Sequence, residues 1–197
     1  MIHPDTEVKF INKTVQYGVV ATKFIPKGTI TWVQDELDTE YTPEQISRMQ
    51  PLIQEMLDKY SFRNNLGNHI LCWDDAKFVN HSFKSNCMST AYDFEIAVRD
   101  IQPGEQLTDD YGYLNISEPF EAEDEGTERK IVHPDDLLEF HEIWDAQVAD
   151  AMKNFDYVNQ PLLKLFSAET KAEMKKITSG TKAMKSILSC YFDSRKK

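Results

Sequence analysis

Two short polar clusters set in apolar flanks are where this chain of 197 residues could do chemistry. In the first, Phe78 and Val79 run directly into Asn80, His81 and Ser82, with Asn86 and Cys87 close behind. In the second, Asp109 and Asp110 precede the triplet Tyr111-Gly112-Tyr113. Taken singly, Asn, His and Ser in a row form a hydrogen-bonded turn, and tyrosines at alternate positions line one face of a strand. Other chemistries find no support. There is no G-x-S-x-G elbow, no H-E-x-x-H pair and no phosphate-binding glycine loop. The five histidines fall at no metal-ligand spacing. Cys72, Cys87 and Cys190 are odd in number and far apart, so neither a disulfide framework nor a four-cysteine zinc site is expected.

The elements that must position these clusters are short. Glu7–Ile11, Gly18–Thr22 and Thr29–Val33 are rich in β-branched and aromatic residues and read as strands, with a turn at Pro26-Lys27-Gly28. Thr42, Pro43 and Gln45 form a capping box that starts a helix. After Pro51, the residues Ile53, Met56, Leu57 and Tyr60 continue an apolar stripe at helical spacing. Residues 64–68 are a turn, strand character returns at 69–73 and 91–98, and 100–105 turn again. After Glu118 the period changes. His133-Pro134-Asp135-Asp136 starts a helix whose stripe is Leu137, Phe140, Trp144, Val148 and Met152. Shorter helices are expected near 161–166, 168–178 and 182–192.

The net charge is −11 and divides unevenly. Residues 1–117 carry −7, residues 118–150 carry −10 and residues 151–197 carry +6. Such a balance repels a phosphate backbone and favours basic protein segments, so no direct nucleic-acid partner is expected. The acidic and basic stretches read as solvated helix faces, or as a basic end folded back on an acidic junction. No apolar run suits a bilayer and no secretory signal is visible, so an intracellular, cytoplasmic or nuclear protein is expected.

The two clusters, in this order and about thirty residues apart, resemble the signature of the SET-domain protein lysine methyltransferases. The matching motifs are Asn80-His81-Ser82, Asn86-Cys87, Arg99-Asp100-Ile101, Pro103-Gly104-Glu105, Gln106-Leu107-Thr108 and Asp110-Tyr111-Gly112. Tyr17–Ala21 with Ile25-Pro26-Lys27-Gly28 resembles the family's N-terminal motif, and the stretch up to Tyr60–Arg63 resembles its helical insert. The likeness covers roughly residues 6–120.

The resemblance implies an α+β, mainly β fold of small sheets with a threaded C-terminal segment. It implies a SET domain over 1–120 with its insert at about 42–62, then an acidic junction and helical extension over 121–197. It implies S-adenosylmethionine as cofactor and a lysine amine as substrate. Tyr111 matches the tyrosine tied to methyl transfer. Tyr17, Gly18, Val19, Tyr60, Asn80 and His81 match cofactor-binding positions, and Tyr113, with Trp73, falls to the substrate channel. Phe120 is the candidate to pack on adenine, with Trp144 as runner-up or plain helix core. Three departures stand out. Gln16 replaces the first glycine of the N-terminal pair. Ser89 and Asp109 stand where channel aromatics are common. The cysteine-rich segments before and after the domain are missing, Phe120–Glu125 occupying the later place, so no metal is expected. The function implied is in-line methyl transfer to a lysine of a basic protein such as a histone or histone-like protein. The alternatives are a non-catalytic SET-like protein-binding module and an unrelated β-rich domain.

Overall fold

Short runs of strand-forming residues give short strands, and the computed structural model, which describes residues 1–193, has none longer than five residues. In chain order they are β1 (Thr6–Phe10), β2 (Tyr17–Ala21), β3 (Ile30–Val33), β4 (Thr39–Tyr41), β5 (Ser61–Arg63) and β6 (His69–Leu71). Then follow β7 (Asn80–His81), β8 (Cys87–Ser89), β9 (Phe94–Ala97), β10 (Thr108–Asp109), β11 (Phe120–Glu121) and β12 (Ile131–Val132). The helices are α1 (Pro43–Ser47), α2 (Pro51–Tyr60), α3 (Asp136–Met152) and α4 (Ala168–Thr178). The strands make small sheets ordered β1-β2, β3-β9-β8, β4-β6-β5, β10-β7 and β11-β12. This is the expected α+β fold.

Most pairings are antiparallel, but β10 runs parallel to β7, with Thr108 opposite Asn80 and Asp109 opposite His81. A parallel neighbour cannot come from a hairpin, so the chain must travel away and return. Asn86 secures the return. Fully buried, its Oδ1 accepts the Thr108 N–H at 2.9 Å and its Nδ2 donates to the Gln106 carbonyl at 2.7 Å.

Two apolar cores form. Val19, Ala21, Ile25, Cys87, Ala97, Ile101 and Leu107 fill one. The larger joins Ile30, Met88, Phe94, Ile96 and Tyr113 of the body to Leu137, Trp144, Val148 and Met152 of α3. The α3 stripe thus buries as its spacing predicts, and α4 starts on its Ser167 cap. The end of the chain differs. Over 182–192 only Ile187–Cys190 turns, as a single 3₁₀ turn, and residues 194–197, partly inside the expected helical end, lie outside the described residues. The extended run is held by side chains instead: Asn115 donates to the Arg63 and Cys190 carbonyls and accepts from the Phe192 N–H. The α2 stripe is a second difference. Leu57 is buried, but Ile53 and Met56 face solvent, because the helix lies against the edge of β5 and β6 and covers it with one position per turn.

The β1–β2 hairpin closes through Gln16, whose φ is 64°, in the left-handed region. Its carbonyl accepts the Ile11 N–H at 2.7 Å and its own N–H reaches the Asn12 carbonyl at 2.9 Å. A side chain there is strained where glycine would not be. The hairpin therefore keeps the shape that the glycine would give it. Gln16→Gly is expected to raise unfolding stability by about 0.5–1 kcal/mol, the left-handed penalty less the entropy of an added glycine. The denaturant midpoint measures it, and a loss of stability would mean that the Gln16 side chain compensates for its backbone.

Candidate active site

The returning segment sets Tyr111 one residue beyond the β10 pairing, where its backbone N–H donates to His81 Nδ1 at 3.1 Å. Its hydroxyl donates to the Val79 carbonyl at 2.7 Å. Asp110 caps the turn by accepting the Gly112 N–H at 3.0 Å. Tyr111, Tyr60 and Phe120 line one cavity of about 330 Å³, together with Trp32, Phe62 and Val79. A smaller cavity of about 130 Å³ lies on the other side of Tyr60 and Tyr111, lined by Tyr17, Asn80 and Phe78. Lys59 and Lys77 line both, each ammonium near an aromatic face: Lys59 is 5.1 Å from the Tyr60 ring centre and Lys77 5.5 Å from that of Phe78. The Tyr111 phenol is pushed above its ordinary pKa, first by burial and then by Asp109 and Glu95, so it stays protonated.

The residues singled out in the sequence separate into three groups. Tyr111, Tyr60 and Phe120 share the main cavity, and Phe120 packs its edge on His81 at 5.6 Å and on Tyr111 at 6.2 Å. Tyr17 and Asn80 line the smaller cavity, and Gly18 and His81, next to them in the chain, line neither. Asn80 does not offer its amide outward: Nδ2 donates to the Tyr17 carbonyl at 3.0 Å and to Gln106 Oε1 at 3.1 Å. Gly18 permits this, since a Cβ there would come within 2.4 Å of Gln106 Oε1. Val19 is core. His81 accepts at Nδ1, so Nε2 carries the hydrogen, and that N–H is buried without a partner. Burial holds its pKa below the usual imidazole value.

The third group requires correction. Trp73 lines neither cavity; it is 45% exposed and its indole donates to Asp35 at 3.2 Å. A strand-end tryptophan found a carboxylate on the surface rather than a channel. Tyr113 points into the core against Trp144, ring centres 5.3 Å apart, and reaches the site only through its hydroxyl, which donates to Asp109 at 2.9 Å. Trp144 itself is plain helix core.

Sequence reading missed Arg129, Glu95, Lys59 and Lys77. Arg129 pairs with Asp110 and Asp136, both with side chains only 3% exposed, while the guanidinium lies 4.7 Å from the Phe83 ring centre and 4.4 Å from that of Phe140. Gly112 leaves room: a Cβ there would meet Arg129 Nη2 at 2.8 Å. A lone Arg in an acidic junction gave no periodic signal. Among the described residues, no three His, Cys, Asp or Glu side chains converge as a metal site.

A family model for the SET domain matches residues 16–112, from the Gln16 turn to the glycine after Tyr111. The chain belongs to the SET-domain family. Among solved structures, a Plasmodium falciparum protein described as a candidate histone methyltransferase is similar at 16% identity, over 56% of this chain and 95% of that one, with a TM-score of 0.42. No curated protein matches. In this SET domain the cavity is completed by residues after the matched region, from Leu114 to Phe120.

Arg129→Ala would leave Asp110 and Asp136 buried without their cation. A loss of about 3–5 kcal/mol is expected by chemical denaturation, the usual result of removing one partner from a buried ion pair. A loss under about 1 kcal/mol, the size of an exposed pair, would mean that water reaches both carboxylates.

Proposed function

We propose that the protein transfers a methyl group from S-adenosylmethionine to a lysine amine of a basic protein, a histone or histone-like protein being the model substrate. The observation that carries the reading is the meeting of Tyr111, Tyr60 and Phe120 at one aromatic cavity of a SET domain, beside the parallel pairing of β7 with β10.

The residues present fit the cofactor. A buried donor beside the Phe120 ring suits a heteroaromatic ring with acceptor nitrogens. Lys59 and Lys77 at the smaller cavity suit a carboxylate, and Tyr17, the first residue of β2, lines it beside them. The cofactor would supply an electrophilic methyl group on a sulfonium. The protein must align the reacting atoms and keep water out. Because the Tyr111 hydroxyl gives its hydrogen to the Val79 carbonyl, its oxygen is left as an acceptor, suited to weak C–H contacts and to orienting an amine. The amine has to be neutral to react, and neutralising a lysine at pH 7 costs roughly 4–5 kcal/mol in water. The aromatic walls lower that cost by desolvating the cation. The net charge of −11 favours a basic partner. Three free cysteines accord with a reducing, intracellular setting.

Calorimetry with S-adenosylmethionine should give one binding event per chain; no heat at millimolar cofactor would end the proposal. Tyr111→Phe keeps the ring and removes only the hydroxyl. Its turnover should fall by about 10²–10³ with cofactor affinity unchanged, the pattern of a group used in the transition state. The assay is labelled methyl transfer to histones at saturating cofactor, and equal rates would make Tyr111 a packing residue.

A further inference from the structure

Two carboxyls lie in the main cavity that the methyl-transfer reading does not use. Glu95 of β9 sits across the sheet from Trp32 on one side and Ser89 on the other. Asp109 of β10 comes two residues before Tyr111. Both line the same cavity as Tyr111, and they share a hydrogen bond. Ser89 donates to Glu95 at 3.2 Å and Tyr113 to Asp109 at 2.9 Å. Among the described residues, neither carboxyl has a Lys or Arg within ion-pair distance. A buried negative charge without a cation is expensive. A second observation points the same way. Trp32, the cross-strand neighbour of Glu95, is 5% exposed and lines the cavity, yet its indole N–H has no partner. An ammonium has no lone pair to accept that N–H, but the neutral amine left after it gives up a proton does, so Trp32 favours the deprotonated guest. Aromatic walls on Trp32, Phe62, Tyr60 and Tyr111 suit a cation as well.

We propose that the Glu95–Asp109 pair is the docking point for the substrate's ammonium group and the acceptor of its proton. The step is a proton transfer: an N–H bond of the ammonium breaks, its electron pair stays on nitrogen as the attacking lone pair, and an O–H bond forms on the carboxyl pair. The pair returns the proton to solvent once the product has left. This rests on the methyl-transfer reading for its purpose, but not for its chemistry.

Burial raises both carboxyls, Asp109 to about 6 and Glu95 well above the usual range, so at neutral pH the pair holds one proton and one negative charge. The groups facing it do not compete for that titration. Burial keeps the Cys72 and Cys87 thiols and the two tyrosine phenols protonated. Asp110 is paired with Arg129, and the Met1 ammonium with Asp35 at 2.8 Å. His69 is held below its usual value by burial and by Arg63. Lys59, Lys77, Arg63, Asp58 and Glu118 also line the cavity. Cation binding therefore strengthens as pH rises through the Asp109 titration and levels off above it.

The test uses n-butylammonium as a lysine side-chain probe, with no cofactor present. Carboxyl carbon resonances of Glu95 and Asp109 are followed in the full chain between about pH 5 and pH 8. The probe should move both resonances and lower the Asp109 midpoint, and its affinity should be about tenfold greater at the upper pH. Asp109→Asn, checked for folding by its thermal melt, should lose about tenfold in affinity and all of the pH dependence. Unmoved resonances in the unmutated protein, or equal affinity at both pH values, would overturn the proposal whether or not the variant folds. A probe that binds as expected to a protein that ignores S-adenosylmethionine would keep the pair and discard the methyl-transfer reading. A methyltransferase whose pH profile is unchanged by Asp109→Asn would do the reverse.

Discussion

Everything at the site depends on a two-residue parallel pairing, Asn80–His81 against Thr108–Asp109. So short a ladder has little stability of its own, since each net hydrogen bond contributes only about 0.5–1.5 kcal/mol. What makes it permanent is burial of the groups around it. Asn86 is fully enclosed, and both ends of its amide are bonded to the returning segment. Displacing that segment would leave a buried amide unpaired as well as breaking the ladder, which is the costlier half of the exchange. The topology that makes the pairing hard to form also explains its value. Residues thirty positions apart are fixed against one another by backbone bonds rather than by flexible side chains.

The second constraint is the Arg129 guanidinium, which ties the turn carrying Tyr111 to the start of α3. One cation answers two buried carboxylates and packs its flat faces on Phe83 and Phe140. Arg suits this place where Lys would not, because a planar fork can serve two acceptors while its faces stay against rings. The helical extension is thereby bound to the turn that carries Tyr111, and its apolar stripe adds to the same core as β3 and β9. In this chain a charged clamp and a hydrophobic face together hold the extension against the domain.

Much of the fold was legible because it is local. The capping box at Thr42, the Ser167 cap and the α3 stripe are each decided within a few residues, and they appear where the spacing places them. The ordered motifs around Asn80 and Tyr111 led to the SET fold through family likeness; periodicity alone would not have found it. What escaped notice was non-local. Glu95 belongs to an ordinary strand and becomes a site residue only because β9 lies beside β3 and faces β10. Trp73 looked like a channel aromatic, yet whether a strand-end tryptophan turns inward depends on partners such as Asp35 that are distant in sequence. The exposed α2 stripe shows the same limit from the other side: helical spacing states that a face is apolar, not that anything covers it.

The chain's end returns to α3, where Asp145 accepts the Ile187 N–H at 2.8 Å and Asp135 the Tyr191 hydroxyl at 2.6 Å, while among the described residues its lysines pair close by in sequence, Lys182 with Glu173 and Lys153 with Asp150. Acidic residues from Glu118 to Glu128 are answered only in part: Lys130 pairs with Asp124, while at Glu125 the Lys84 ammonium donates to the backbone carbonyl and only its backbone N–H to the carboxylate. They lie in the chain on either side of Phe120, and Glu118 itself lines the main cavity. Within a Debye length of about 8–10 Å, such a surplus attracts a basic segment toward the opening, while Lys59 and Lys77 act at shorter range on whatever enters. The two scales do not conflict. Under the proposed function, long-range attraction would favour a cationic protein, and the carboxyl floor beneath aromatic walls would be where a single ammonium gains from going in.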